Sequence, residues 1–318
     1  MTTDLVVPGL LGHLPRLGDV GELPRFPNLE LMLSRAELRD SPAGYAETLF
    51  DLFGLSVPEN ADVPTAPVCF LAETVDDKLE FTYLLHADPV HLRPDQDRLL
   101  AFDFYHQPLE MQDARAFAEA FNRHFGEDGL QLLTPHATRW YLMVDHKPDL
   151  RTRPLGEVIG RNVDLFLPEG ADARTWRGWI NELQMLFHAL PVNQAREARG
   201  QLPVSGVWLS GGGVMPPGQA NGYERVQGDC PLVSGLQNLS MNHRNARLML
   251  DHAPGRAVFD ANPVNWIDAV TQLDQRLAQL LDGEVRLYAG EGRVWHWRPA
   301  MRRRLWRRVR PLSYWLEA

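Results

Sequence analysis

Cysteine is nearly absent from this chain: Cys69 and Cys230 are the two, far apart and each without a CxxC neighbour. That excludes a disulfide framework and a cysteine-rich metal site, and it fits a reducing compartment. No apolar run approaches the length that crosses a bilayer, so no transmembrane segment is expected. Met1 to Gly12 lacks a basic leader, and its short apolar run, Leu5 to Val7, reads as a buried strand rather than a signal peptide. The expected location is cytoplasmic. Basic charge is also in deficit. A formal net charge of −9 argues against a general nucleic-acid binder, which needs a basic footprint. The familiar catalytic fingerprints are missing as well: there is no GxGxxG, P-loop, HExxH or GxSxG pattern, and no internal repeat or low-complexity segment.

What is there is ordinary globular composition, 44% hydrophobic and 23% charged, over 318 residues, enough for one large domain or two smaller ones. The run Asn28 to Arg35 predicts a short helix, and Ala43 to Phe53 another. A connector punctuated by Pro58, Pro64 and Pro67 leads to Val68–Leu71, whose unbroken apolar character predicts a buried strand. Phe81 to His86 and Arg98 to Phe104 read as strands flanking a polar stretch from Ala87 to Asp97. Apolar residues at helical spacing make Gln112 to Phe125 an amphipathic helix. Leu130 to Leu133 and Arg139 to Val144 form a predicted hairpin. Asn162 to Leu167 is strand-like, and Asp172 to Ala189 is a helix with Asp172 at its N-cap. Val204 to Leu209 is a buried strand running into Gly211–Gly213. Asn265 to Leu281 is a helix, and Val285 to Trp297 a hairpin turning at Glu291 and Gly292. Strands and helices alternate, so the fold class is α/β.

Three clusters are candidates for binding. Asn193, Arg196 and Arg199 are three apart, which places them on one helix face. Guanidinium groups so arranged suit a carboxylate or phosphate, unless they simply pair with nearby acids. The stretch Asp88–Pro89–Val90–His91–Leu92–Arg93 is dense in Asp, His and Arg. Asp88 and His91 are candidate ligand contacts, able to ligate a metal if a third protein ligand joined them, and Arg93 is a candidate anion contact; the other reading is an ordered turn. Gly211 and Gly212 follow a strand and could bring backbone N–H groups to an anion, or serve a structural turn. No catalytic or metal-ligating set is assigned and no cofactor is expected, since Asp145–His146, Asp251–His252 and His188 each lack companions. The tail from Met301 to Arg310 carries six arginines around Leu305, Trp306 and Val309, either a docked terminal helix or a contact for an anionic partner.

The block Asn181–His188, Leu190–Asn193, Arg196, Arg199–Gly200 and Val207–Leu209 with its glycines resembles the RpfE-type regulatory proteins of bacteria. Ala87–Arg93 and Arg139–Leu142 resemble that family too. The family is in turn similar to the archaeal-type cofactor-independent phosphoglycerate mutases. The resemblance implies an alkaline-phosphatase-like core, residues 1–74 and 147–318, with a smaller α+β subdomain inserted at 75–146. Mutases of that kind end their first strand in Asp-Gly, the aspartate holding one of two metals; here Val7 is followed by Pro8–Gly9. No serine matches their phosphoryl acceptor, and Asp251–His252 resembles a remnant of a metal pair. The resemblance therefore implies a pseudoenzyme, binding an anionic metabolite or a protein partner. The alternatives are a metal-dependent phosphoglycerate mutase or phosphatase with a rearranged site, and RNA or membrane-surface association through the arginine tail.

Overall fold

The computed structural model describes residues 1–12, 22–57, 59–74, 82–290 and 292–316, to which all that follows refers. Pro58, Phe81 and Glu291, used in the expectations above, lie outside them, as does residue 75, the expected start of the insert. The chain divides into two compact units, one made of Met1–Ser56 with Gln219–Ala318 and one of Val57–Gly218.

The first unit begins with β1 (Thr2–Val6), α1 (Pro27–Arg35), β2 (Glu37–Asp40) and α2 (Tyr45–Leu52). Pro27 opens α1 at a position where a missing N–H costs nothing. The helix also buries an acid: Glu30 accepts from Arg25 at 2.6 Å and from the backbone N–H of Leu312 at 3.1 Å.

The second unit follows with α3 (Thr65–Glu73), β3 (Tyr83–Asp95), β4 (Arg98–Phe102), α4 (Met111–Phe125), β5 (Leu130–Leu133), β6 (Tyr141–Val144), α5 (Ala173–Ala189), α6 (Pro191–Ala198) and β7 (Gly206–Gly213). Its sheet is antiparallel. β3 is the spine, pairing with β6 through Tyr83–His86, with β7 through Leu84–Val90 and with β4 through His91–Asp95. The stretch Ala87–Asp97 is therefore mostly strand, not the polar connection its prolines suggested. Ala87 donates its N–H to Trp140 O at 2.8 Å; Pro89, two residues on, faces the same side beyond the paired part of β6, so its absent donor is not missed. Val68–Leu71 corrects the other way, lying inside α3. A short apolar run is equally compatible with a buried helix, and Pro67 sits in the first turn, where proline is tolerated. Asn162–Leu167 is likewise not a strand but a 3-10 turn, Val163–Phe166.

A smaller apolar cluster in this unit gathers Val90, Ala101, Val158, Val163 and Trp208, and a larger one joins its helices to its sheet. Phe117, Trp140 and Leu142 pack with Trp176, Leu183, Phe187, Val207 and Leu209. Residues 147–218 thus share a core and a sheet with 82–146, so the compact unit extends to Gly218 rather than stopping at 146. Each of these buried aromatic or aliphatic side chains contributes roughly 1.5–3 kcal/mol.

The chain then returns to the first unit as β8 (Ala220–Gln227), α7 (Pro231–Asn238), β9 (Ser240–Leu250), α8 (Ala253–Phe259), α9 (Pro263–Leu280), β10 (Glu284–Tyr288), β11 (Arg293–Trp297) and α10 (Leu312–Leu316). Departure and return are stitched together: Asn221 N–H donates to Phe53 O at 2.8 Å. The sheet order is β2-β11-β10-β1-β9-β8, with β8, β9, β1 and β10 parallel, β11 antiparallel to both its neighbours, and β2 at the edge beyond it. β1 lies between β9 and β10, which explains its unalternating apolar run. Trp266, Leu273 and Leu277 of α9 and Leu29 and Met32 of α1 pack on that side. The arginine-rich tail is not a helix over 301–310; a 3-10 turn, Pro299–Arg303, gives way to a surface strap before α10.

Candidate functional site

In open α/β sheets ligands gather where the parallel strands end. In the first unit that edge is formed by Pro8–Gly9 after β1, Asp229–Cys230 after β8 and Asp251–His252 after β9. Asp251 is drawn into line by its N–H, which donates to Val6 O at 3.0 Å. Its carboxylate receives the Arg276 guanidinium from α9 and the Ala253 N–H at 3.2 Å. His252 Nε2 lies 2.7 Å from Tyr45 Oη, and Tyr45 Oη lies 3.3 Å from Cys230 Sγ. Burial lowers the His252 pKa against the opposing pull of Asp251 and Asp229. With His252 neutral, one assignment satisfies both bonds: Tyr45 O–H donates to Nε2, and the Cys230 thiol donates to the Tyr45 oxygen. Behind this row the backbone closes tightly. A Cβ on Gly9 (φ +75°) would come within 2.6 Å of Gly255 Cα in α8.

A two-metal phosphoryl-transfer centre does not fit these residues. Pro8 stands where β1 would need a carboxylate, and a guanidinium occupies the Asp251 carboxylate. Among the described residues no three His, Cys, Asp or Glu side chains converge as a metal site would require.

The second unit holds two buried polar groupings, and both involve residues expected from the sequence. The first is centred on Asp113 of α4. Arg196, 1% exposed, donates to Asp113 Oδ2 at 2.7 Å and to Leu202 O at 3.0 Å. Arg199, about half exposed, reaches the same oxygen at 3.3 Å. Asn193 donates to Phe187 O and Val204 O, each at 2.8 Å, and accepts from Val204 N–H at 2.9 Å. The carboxylate that Arg196 and Arg199 meet belongs to the protein, and Asn193 meets only backbone groups, so Asn193 and Arg196 are spent internally.

The second grouping lies on one face of β3, where His86 and Asp88 alternate onto the same side. Tyr141 stacks beside His86, ring centroids 5.2 Å apart. The Tyr141 hydroxyl donates to Glu73 Oε2 at 2.6 Å, while Arg139 pairs with Glu73 Oε1. Asp88 accepts from the Trp140 N–H, yet its Oδ1 is buried with no partner among the described residues, and so is Nδ1 of His86. Burial, reinforced by Glu73 and Asp103, pushes the Asp88 carboxyl up to about 7. Burial, with Arg139 nearby, pushes His86 down to about 4.

His91 and Arg93 stand apart from both groupings, whereas Gly211 lies beside His86, whose Cδ2 would be 3.1 Å from a Cβ there. His91 Nδ1 meets Pro203 O at 3.0 Å, and the Arg93 guanidinium lies 4.5 Å over the Phe102 ring. Gly211 and Gly212 are accounted for by packing. A Cβ on Gly211 (φ +59°) would lie 2.0 Å from Thr65 Oγ1, and one on Gly212 2.7 Å from Tyr83 Oη. The Gly212 N–H does meet an anion, but it is the protein's own Asp62 carboxylate, which Thr152 also bonds. Tyr45, Glu73, Arg276 and Asp113 escaped the sequence reading. Asp113 alone left a signal, an acid four and eight residues before Phe117 and Phe121 on the apolar stripe of α4.

No protein-family model and no curated protein matches the sequence. Among solved structures, the chain is similar to the PH0037 protein from Pyrococcus horikoshii, with 13% identity, a TM-score of 0.50, and coverage of 91% of this chain and 81% of that one. It is also similar to a cofactor-independent phosphoglycerate mutase from Thermoplasma acidophilum DSM 1728, with 14% identity, a TM-score of 0.41, and coverage of 93% and 89%. The fold is mixed α/β, a mainly parallel sheet in one unit and an antiparallel sheet in the other, and PH0037 shares it.

Proposed function

We propose that this chain is a non-catalytic regulatory protein on a phosphoglycerate-mutase-like scaffold, in the manner of the RpfE-type proteins its sequence resembles, and that it acts by binding a protein partner. The observation that carries this reading is the carboxyl edge of the parallel sheet. There Asp251 is neutralised by Arg276, and His252 is tied to Tyr45. A carboxylate already paired with a guanidinium is a poor metal ligand, and two-metal transfer needs both ions to clamp the attacking and leaving oxygens. The protein-partner form is preferred to the anionic-metabolite form because Arg196 and Asn193 already have internal partners.

The test is metal content after incubation with manganese and zinc followed by desalting, alongside mutase and phosphatase assays on the same sample. The expected outcome is no retained ion and no turnover. Stoichiometric metal with phosphoryl transfer would overturn the reading in favour of an active enzyme, and Asp251→Asn and His252→Gln would then be the first variants to assay.

A further inference from the structure

Between the buried Met301 and the buried Leu312 the chain crosses the surface of its own unit in a strap that carries six arginines and no acid. These arginines divide by what they touch. Arg304 donates to Arg35 O at 3.1 Å and Arg307 to Ala36 O at 2.9 Å, satisfying carbonyls at the end of α1 that have no helical partner. Arg35 donates back to Arg302 O at 2.5 Å, and Arg310 N–H donates to Ser34 Oγ at 2.9 Å. Arg302 meets Asp282 at 3.3 Å with both side chains exposed. Arg303 and Arg308 are exposed and have no acidic partner among the described residues.

Between Arg303 and Arg308 the strap makes a tight turn. Leu305 N–H bonds to Arg303 O at 2.8 Å and Arg307 N–H to Arg304 O at 3.0 Å, so the tip has a fixed backbone on an anchored base. At the tip Leu305 is 76% exposed and Trp306 79% exposed. Single exposed apolar residues are common, but an adjacent Leu–Trp pair flanked by cations on a rigid turn is a distinct arrangement.

We propose that this tip is a docking element for an anionic lipid bilayer, with Trp306 and Leu305 entering the interface and Arg303 and Arg308 meeting headgroup phosphates. Tryptophan favours the headgroup level of a membrane, and arginine pairs with phosphate while its stem lies along apolar surface. On a chain of formal net charge −9 the strap is a concentration of positive charge, which suits a negative surface. A single-stranded nucleic acid is less well served. Such ligands use aromatic platforms along a basic groove, and Leu305 offers nothing to a base. This assignment is independent of the catalytic status of the sheet edge.

The test is co-sedimentation of the full chain with phosphatidylcholine vesicles, with and without phosphatidylglycerol. Binding is expected only to the anionic vesicles and should weaken steeply with salt. Leu305→Ser with Trp306→Ser, and separately Arg303→Gln with Arg308→Gln, should each weaken binding by roughly tenfold or more. Because all four side chains are exposed, the thermal midpoint should not move, which circular dichroism checks. Quenching of tryptophan fluorescence by bromine-labelled acyl chains should be present in the parent and absent in Trp306→Phe. Failure to bind anionic vesicles, undiminished binding by either double variant, or preferential binding of a single-stranded RNA oligomer would each overturn the proposal.

Discussion

The two buried polar groupings of the second unit are built from similar residues and reach opposite ends. Around Asp113 the buried guanidinium of Arg196 and the amide of Asn193 find partners at hydrogen-bond distance. Around Asp88 two buried atoms, Asp88 Oδ1 and His86 Nδ1, find none among the described residues. The first grouping locks α4 to α6 and to the segment leading into β7. The second carries an uncompensated desolvation cost that shows in both pKa values. The lesson is that charge density in a sequence stretch does not separate structural from exposed chemistry; partner geometry does.

The sharpest way to break the contrast is Asp113→Ala. It leaves the Arg196 guanidinium buried without its counter-charge and should cost about 3–5 kcal/mol in denaturant unfolding. Asp113→Leu combined with Arg196→Met should recover most of that loss, because the pair is then replaced rather than broken.

The Asp88 grouping predicts a pH signature of comparable size. Asp88 holds its proton in the folded state to about 7, so its contribution is lost as pH rises from the unfolded carboxyl value through 7. His86 is neutral in the folded state down to about 4, so its contribution is lost as pH falls from the unfolded imidazole value through 4. Between pH 4 and 6.5 the two slopes oppose and largely cancel. Asp88→Asn should therefore unmask stability that rises with pH across that window, and His86→Asn stability that falls, each by on the order of 3 kcal/mol. Chemical denaturation at several pH values reads both. A flat profile in both variants would remove the physical distinction between the groupings. The smallest effect is expected of Arg199→Ala, about 0.5 kcal/mol or less in the same assay, because its contact with Asp113 is half exposed.

Much of the framework was legible because its elements carry strong periodicity or clear punctuation. α4, α5 and α9 fall close to where the apolar spacing put them, and the β10–β11 hairpin was equally plain. α3 was not legible, since four apolar residues near proline satisfy a helix and a strand alike. β3 was misjudged past Ala87 because Pro89 and Pro94 mark a connection unless one knows which side of the strand lacks a partner. The second unit was read too short for a similar reason. Its closing strand, β7, pairs with β3 across more than a hundred residues, a relation no local pattern carries. Of the candidate contacts, the shared face of Asn193, Arg196 and Arg199 was legible, but its direction was not, because that depended on Asp113 from another helix. Tyr45 and Cys230 are joined to His252 by tertiary contact alone.

The bond from Asn221 to Phe53 has a consequence for how the first unit can be assembled. The two residues it joins are separated in the chain by the whole of the second unit, so tying β8 to the end of α2 is a long-range event with a corresponding entropic toll. A second unit that folds first shortens the effective tether, and the order of events on the pathway is thereby biased toward the interior of the chain. The same adjacency makes this the natural place for surgery: splicing residue 54 to residue 221 through a brief glycine-serine turn would convert a discontinuous unit into a continuous one.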